Sequence, residues 1–415
     1  MSRNIDAGIG RLANEVVSGG TEHDDPPPTT TQSVVGALAW VALFALLWFW
    51  SPWYVVFAIG LAVSILLHEF GHYWTARRSG MKVTQFFLGF GPRIWSTRRN
   101  DIEYGVRAIP LGGFVKIIGM TNLDEVDEAD EQRTYREGSY PRRMWVITAG
   151  SVMHVIIALV LVFGVYVTAG RYQQTGRVWI EWVSEDSPAS RAGLQPDDVV
   201  VSVNGVAMSS EAQLRSLLAA SAPGTTLDLA LERAGTPVDL TVALEQHPDF
   251  TDEVRGYLGV SPWSQDRQQL GVGAALTQGP SDLVQGLGQA VVGVAKVLNP
   301  VNVTGHLVGT NNDVTSRPGT IVGATRVSKG VGQNDGWAGM LSLLAAVNIS
   351  VGVFNMFPLL PLDGGHAAIA TYERLRSRRG RRYRADAAKL MPVAAVCITL
   401  LAFMFFTGLY LDITG

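Results

Sequence analysis

Apolar residues in this chain are gathered into five blocks almost free of formal charge. The first charge-free stretch, Pro26 to Leu67, is longer than the ~20 residues a membrane-crossing helix needs, so it reads as two spans. Val34 to Trp50 is one, Ser51-Pro52 breaks it, and Trp53 to about Trp74 is the other. Trp48, Phe49, Trp50, Trp53 and Tyr54 around the break suit a tight turn at a membrane interface, where amphipathic rings concentrate. Three further charge-free runs follow: Trp145 to Ala169, Trp337 to Leu362 and Leu390 to Leu411. At ~1.5 Å per residue each is long enough for a ~30 Å hydrocarbon core.

Basic residues near helix ends set the orientation. Arg77, Arg78 and Lys82 follow the second span, Arg142 and Arg143 precede the third, and eight Arg or Lys residues lie between Arg374 and Lys389. Alternating spans put these groups on one side, the cytoplasmic one, and segment 171–336 outside. The first part of that segment, Arg171 to Pro262, carries thirteen acidic residues, six arginines and no lysine. Residues 1–33, rich in Thr, Asp and Pro, cannot bury a core and read as a disordered cytoplasmic tail, with no secretory-signal pattern.

Composition alone hides this. The 415 residues are an ordinary 47% hydrophobic, and their length suggests two or three structural units. Charged residues are 17% of the chain against the ~25% usual in soluble domains, and the net charge is -3. Those values exclude a nucleic-acid-binding or disordered class. Cys397, the lone cysteine, excludes an internal disulfide and cysteine-ligated zinc, and reads as a small apolar residue in a hydrophobic run.

The sharpest chemistry sits at the end of the second block. His68-Glu69-Phe70-Gly71-His72 is an HExxH motif whose histidines are one turn apart on one helix face. Two imidazoles so placed can hold one Zn²⁺, with Glu69 beside them as general base for water. The bland alternative is an interfacial cluster of polar residues, but ionisable groups at membrane depth are functional candidates by default. No third ligand follows soon after His72. The next ionisable residue at the end of a span is Asp363, in Asn355-Met-Phe-Pro-Leu-Leu-Pro-Leu-Asp363-Gly-Gly-His366, on the same side as the histidines. Two helices can thus meet over one metal, Pro358 and Pro361 breaking the later one. Asp363 is otherwise an N-cap for the following helix.

HExxH at the end of one membrane helix, with N-x-x-P and L-D-G at the end of a later one, resembles the site-2 protease family of intramembrane zinc metalloproteases. The resemblance implies His68, His72 and Asp363 as zinc ligands, Glu69 as catalytic base, and Asn355 as a residue positioning substrate. His366, one turn past Asp363, competes weakly as a ligand. His154 lies in Ala149-Gly150-Ser151-Val152-Met153-His154, where relatives usually read A-G-P with Asn three residues later, so the chain departs at Ser151 and His154. His154 either hydrogen-bonds near the site or makes a plain helix–helix contact.

Segment 81–120 is β-like, with breaks at Gly91-Pro92, Asn100-Asp101 and Gly112-Gly113. In the family the matching stretch is a β-loop beside the metal, able to hold substrate extended by strand addition; a surface hairpin without substrate role is the alternative. Ser187-Pro-Ala-Ser-Arg-Ala-Gly-Leu194 and Gln195 to Gly205 resemble bacterial PDZ domains, for which peptide capture and a size filter against bulky ectodomains are equal rivals. Ser281 to Leu298 has the spacing of an interfacial helix.

The expected fold is therefore a polytopic α-helical membrane protein: a four-helix core, an extra N-terminal span, a membrane-associated β-loop and one inserted extracytoplasmic PDZ-like domain. Its segments are the 1–33 tail, an extra span at 34–52, the HExxH helix at 53–80, the β-loop region at 81–143, a span at 144–170, the PDZ-like domain at 171–262, an amphipathic linker at 263–336, the LDG-bearing helix at 337–372, a basic loop at 373–389 and a last span at 390–411. The resemblance implies a multi-pass zinc endopeptidase of the cell membrane, with the lipid bilayer as its setting. It would cut transmembrane segments of single-pass signalling proteins such as anti-sigma factors during regulated intramembrane proteolysis. A non-catalytic PDZ-bearing scaffold is the alternative, weakened because a scaffold has no need of Glu69. A transporter reading lacks paired repeats.

Overall fold

The computed structural model describes residues 29–120, 124–246, 255–311, 313–377 and 382–414. The expected tail up to residue 28, and Arg378, Arg379 and Arg381 of the basic loop, lie outside them. Residues 30–33, expected as tail, are helical. Thr29 and Gln32 form a reciprocal capping box that starts the first helix there.

Along the chain come α1 (Thr30–Trp50), α2 (Pro52–Arg78), β1 (Val83–Arg99), β2 (Ile102–Ile117) and α3 (Tyr140–Thr168). Next are β3 (Arg171–Val183), α4 (Pro188–Ala192), β4 (Val199–Val203), β5 (Val206–Ala207) and α5 (Glu211–Ala220). They are followed by β6 (Thr226–Arg233), β7 (Thr236–Ala243), β8 (Glu245–Gln246), β9 (Gly256–Tyr257) and β10 (Val260–Gln268). The chain continues through α6 (Val272–Val297), α7 (Pro300–Leu307), α8 (Ile321–Asn355), α9 (Asp363–Arg376) and α10 (Ala387–Thr414). Among the described residues, α1, α2, α3, α8 and α10 are the five helices long and apolar enough to cross a membrane.

The chain divides into one unit of residues 1–165 and 275–415 and a second of 166–274. In the first, Ser51 ends α1 in extended backbone and its hydroxyl accepts from Trp53 N–H, with Pro52 opening α2. Phe57 of α2 packs with Met340 and Leu344 of α8, while Ala158 of α3 packs with Leu283 of α6 and Ala345 of α8. Ala76, Val146, Ile147 and Ala367 share a cluster with Val83, Ile102 and Ile117, so the strands are seated on α2, α3 and α9. Phe87 pairs with both Phe114 and Gly105, which places segment 83–88 between 102–107 and 113–117. Segments 93–99 and 113–117 are thereby the outer ones. Helix α1 lies against the outer segment 93–99, with Gly36 buried on Ile94 and Trp40 Nε1 donating to Ala108 O at 3.1 Å.

The helix expected at 337–372 is instead two. Helix α8 begins at Ile321, bends at Gly336 (φ 59°, ψ -139°) and ends at Asn355, and α9 begins at Asp363. Pro358 and Pro361 in the connection have no N–H to continue a helical ladder. The start of α8 is fixed from the far end of the chain: Asp412 Oδ2 on α10 accepts from Thr320 N at 2.8 Å, Thr320 Oγ1 at 2.7 Å and Gly323 N at 3.2 Å.

The second unit is a six-stranded sheet in the order β10-β3-β4-β6-β7, with β5 paired to β4, beside a β8-β9 pair. Val178, Ile180, Val200, Val203, Leu227 and Leu229 are among the side chains that fill its core. Asp198, fully buried, receives Arg233 Nε and Nη2 at 2.7 Å each and Gln195 N–H at 2.9 Å. Burial pushes the Asp198 carboxyl up, yet these donors hold it below the usual carboxylate range.

Candidate metal centre

Helix α2 delivers the HExxH side chains to a place where α3 comes unusually near. A Cβ on Gly71 would lie 2.8 Å from Ala149 O, and one on Gly150 would lie 2.6 Å from His68 Nδ1 and closer still to His68 Cε1 and His72 Nε2. Bare glycine backbone is what lets the two helices meet across the imidazole pair. On the other side, a Cβ on Gly113 would be 3.1 Å from Glu69 Cγ, so the outer segment 113–117 passes over Glu69.

Asp363 arrives from α9. Its helix is capped at Leu362 without a side-chain hydrogen bond, and Asp363 is the first helical residue, so the N-cap alternative is not what the carboxylate does. Gly364 and Gly365 fold the first turn of α9 onto Phe357 O and Leu359 O, where a Cβ at either would collide.

His68 Nε2, His72 Nε2 and Asp363 Oδ2 form a triangle with sides of 3.2 Å (His68 to His72), 3.3 Å (His72 to Asp363) and 3.5 Å (His68 to Asp363). Ligand atoms ~2.05 Å from one tetrahedral zinc are about 3.3 Å apart, so the triangle is already the size zinc requires. The three side chains keep only 10%, 12% and 23% of their exposure. Asp363 Oδ2 is buried with no hydrogen-bond partner among the described residues, a cost that a cation in the triangle would remove. His72 Nδ1 donates to Val146 O at 2.8 Å, so in the neutral imidazole Nε2 is the nitrogen left to bind a metal, and it is aimed at the triangle. The donor set of two imidazoles and a carboxylate fits zinc and leaves a fourth position for water or substrate.

The remaining expected residues fall at different distances from this centre. Asn355 is the last residue of α8, and its side chain makes no hydrogen bond among the described residues. His366 lies on α9 outside the donor triangle, lining a ~60 Å³ cavity with Tyr135, Arg143 and Glu373. His154 of α3 is buried with its ring 4.9 Å from that of His68, and its Nδ1 is 2.8 Å from Asn348 Oδ1. Sequence reasoning passed over Asn348 and Ser64, which hydrogen-bond to each other across α8 and α2 at 3.0 Å. Their signal was faint: an amide and a hydroxyl inside apolar runs.

The profile of Peptidase family M50 matches residues 56–401. The zinc metalloprotease Rip1 of Mycolicibacterium smegmatis is 33% identical over 394 residues, covering 84% of this chain and 94% of that protein. Rip1 of Mycobacterium tuberculosis is 31% identical over 381 residues, covering 83% and 93%. A solved PDZ domain of an SdrC-like protein from Listeria monocytogenes aligns with 22% of this chain and 90% of its own length, at 16% identity and a TM-score of 0.20.

Proposed function

The chain belongs to peptidase family M50 and is a multi-pass membrane zinc metalloprotease, and from that premise we propose that it hydrolyses peptide bonds inside the transmembrane segments of single-pass signalling proteins. The observation that carries the reading is the donor triangle, sized for one zinc where α2 meets the start of α9 in an apolar unit.

His68, His72 and Asp363 would hold the zinc. When bound, it supplies Lewis acidity that activates water and polarises a carbonyl. Glu69 would take the proton of the attacking water on its carboxylate and return it to the departing amide nitrogen. The outer segment 113–117 supports presentation of substrate in extended form, because a helical peptide bond is shielded by its own hydrogen bonds and an open strand edge offers replacements. Asn355, at the end of α8, would steady the substrate backbone near Asp363.

The charge pattern supports a cytoplasmic position for the metal centre and an outside position for the acidic 166–274 unit, which on its sequence motifs is PDZ-like and would meet the substrate's ectodomain. Anti-sigma-factor-like proteins, tethered by one span, are the substrate class we favour.

Cleavage of a reporter transmembrane segment in proteoliposomes tests the mechanism. Wild type cleaves it, a zinc chelator stops cleavage, and Glu69→Gln retains zinc while losing at least ~100-fold in rate. A zinc-loaded Glu69→Gln protein that cleaves at the wild-type rate refutes the role of Glu69.

A further inference from the structure

The two histidines of the metal centre are held differently. His72 has the usual arrangement for a metal ligand, its second ring nitrogen donating to a backbone carbonyl, Val146 O at 2.8 Å. His68 Nδ1 is buried beside the Gly150 backbone of α3, with which it makes no well-aligned hydrogen bond. The Gly150 backbone therefore holds the His68 ring less firmly than Val146 O holds His72, and a second contact is needed to keep the ring turned toward the donor triangle.

The neighbouring imidazole is placed to do so. His154 lies with its centroid 4.9 Å from that of His68 and its plane tilted by 43°. Its own ring is held by Nδ1, tied to Asn348 Oδ1 at 2.8 Å, and the bare backbone of Gly352 on α8 passes close to the base of the side chain. The orientation of Asn348 is fixed in turn. Its Nδ2 donates to Leu344 O at 2.7 Å and to Ser64 Oγ at 3.0 Å, while Ser64 Oγ donates to Gly60 O at 2.9 Å. Flipping the amide would set Oδ1 against Leu344 O, acceptor against acceptor. Oδ1 therefore accepts, and Nδ1 of His154 carries the proton. All three side chains are buried, at 2% exposure for His154, 1% for Asn348 and 3% for Ser64. Satisfied polar networks at that depth rigidify what they touch.

We propose that His154, locked by the Asn348–Ser64 pair, is the positioning residue that holds the His68 ring in its zinc-binding orientation. The network runs from Ser64, one turn before His68 on α2, through Asn348 on α8 to His154 on α3, and so back to His68. Its packing adds to the weak contact of the Gly150 backbone with the His68 ring, whereas His72 is held by the bond to Val146 O. This inference rests on the assignment of His68 as a zinc ligand.

Zinc affinity of the full-length protein, measured by chelator competition in detergent, is the readout. His154→Ala is expected to bind zinc about ten- to a hundred-fold more weakly, the usual effect of removing an outer-shell partner. His154→Phe, which keeps a flat ring beside His68, is expected to recover most of that loss. At saturating zinc His154→Ala should regain cleavage with KM unchanged, as befits a residue acting through the metal ligand. A wild-type zinc affinity in His154→Ala overturns the proposal, and so does a raised KM at full zinc occupancy. Where His154→Ala does not fold, Asn348→Val unlocks the ring and leaves it in place; several-fold weaker zinc binding is expected, and wild-type affinity again overturns it. His68→Ala separates the two levels. If His68→Ala itself binds zinc normally, the metal-site reading fails; if it loses zinc while His154→Ala keeps it, only the positioning role fails.

Discussion

Adding one methyl group at Gly150 should empty the metal centre. The new Cβ would sit 2.6 Å from His68 Nδ1 and nearer still to His72 Nε2, whereas ordinary contact begins at 3.4 Å. The nearest clashes, at 2.4 Å, mean that the rings or the backbone of α3 must shift by about 1 Å to reach ordinary contact at 3.4 Å. Zinc sites tolerate errors of about 0.2 Å in ligand distance, so a displacement about five times that size breaks the donor triangle. Removing an outer-shell partner already costs ten- to a hundred-fold in metal affinity. Moving a ligand itself should reach the upper end or beyond, at least ~100-fold or ~2.7 kcal/mol. Gly164→Ala is the control on the same helix, since no atom lies within 4 Å of its added Cβ. It should bind zinc as wild type does and be neutral or stabilising by about 0.5–1 kcal/mol through helix propensity. Both variants are compared by chelator competition for zinc, circular dichroism for helix content and reporter cleavage. A Gly150→Ala protein with wild-type zinc affinity and cleavage refutes the close approach of α3 to the histidines.

Two further outcomes test other parts of the molecule. Asp412→Ala strips Thr320 N, Thr320 Oγ1 and Gly323 N of their common acceptor, and leaving these half-buried donors unpaired should cost about 2–3 kcal/mol, read as a Tm lower by roughly 3–5 °C in detergent; an unchanged Tm refutes the cap. Asp198 titrates below the ordinary carboxylate range in the folded protein, so its contribution to the 166–274 unit is full above the unfolded value of ~3.9 and is lost as pH falls through the lower folded value. Hydrogen exchange of β4 and β6 should show that acid limb in wild type and a flatter one in Asp198→Asn. Identical limbs refute the assignment.

The residues of the candidate metal centre were legible because an HExxH spacing fixes two side chains on one helix face wherever the helix lies, and because charge is scarce enough in the apolar blocks to expose Asp363. The beginning of α8 was not. Arg326, Lys329 and Asp335 give its first turns the look of a polar linker, although a Gly336 bend joins them to the apolar helix. The helical start at Thr30 was readable from the Thr29 to Gln32 capping box and was masked by the polar composition around it. Other features exist only through packing. Nothing in the runs containing Ser64, His154 and Asn348 says that three helices bring them together, and nothing in Gly36 or Trp40 announces a contact with Ile94 or Ala108.

Asp412 also imposes an order of events on biosynthesis. The carboxylate that caps the start of α8 is encoded 92 residues after Thr320, the residue it holds. At ~5–20 residues per second, α8 waits roughly 5–20 s for its cap after its own first turn has been made. During that interval the start of α8 has only its Thr320 cap, which takes Val322 N–H, and the N–H groups of Thr320 and Gly323 gain their protein acceptor only after α10 has been synthesised and seated.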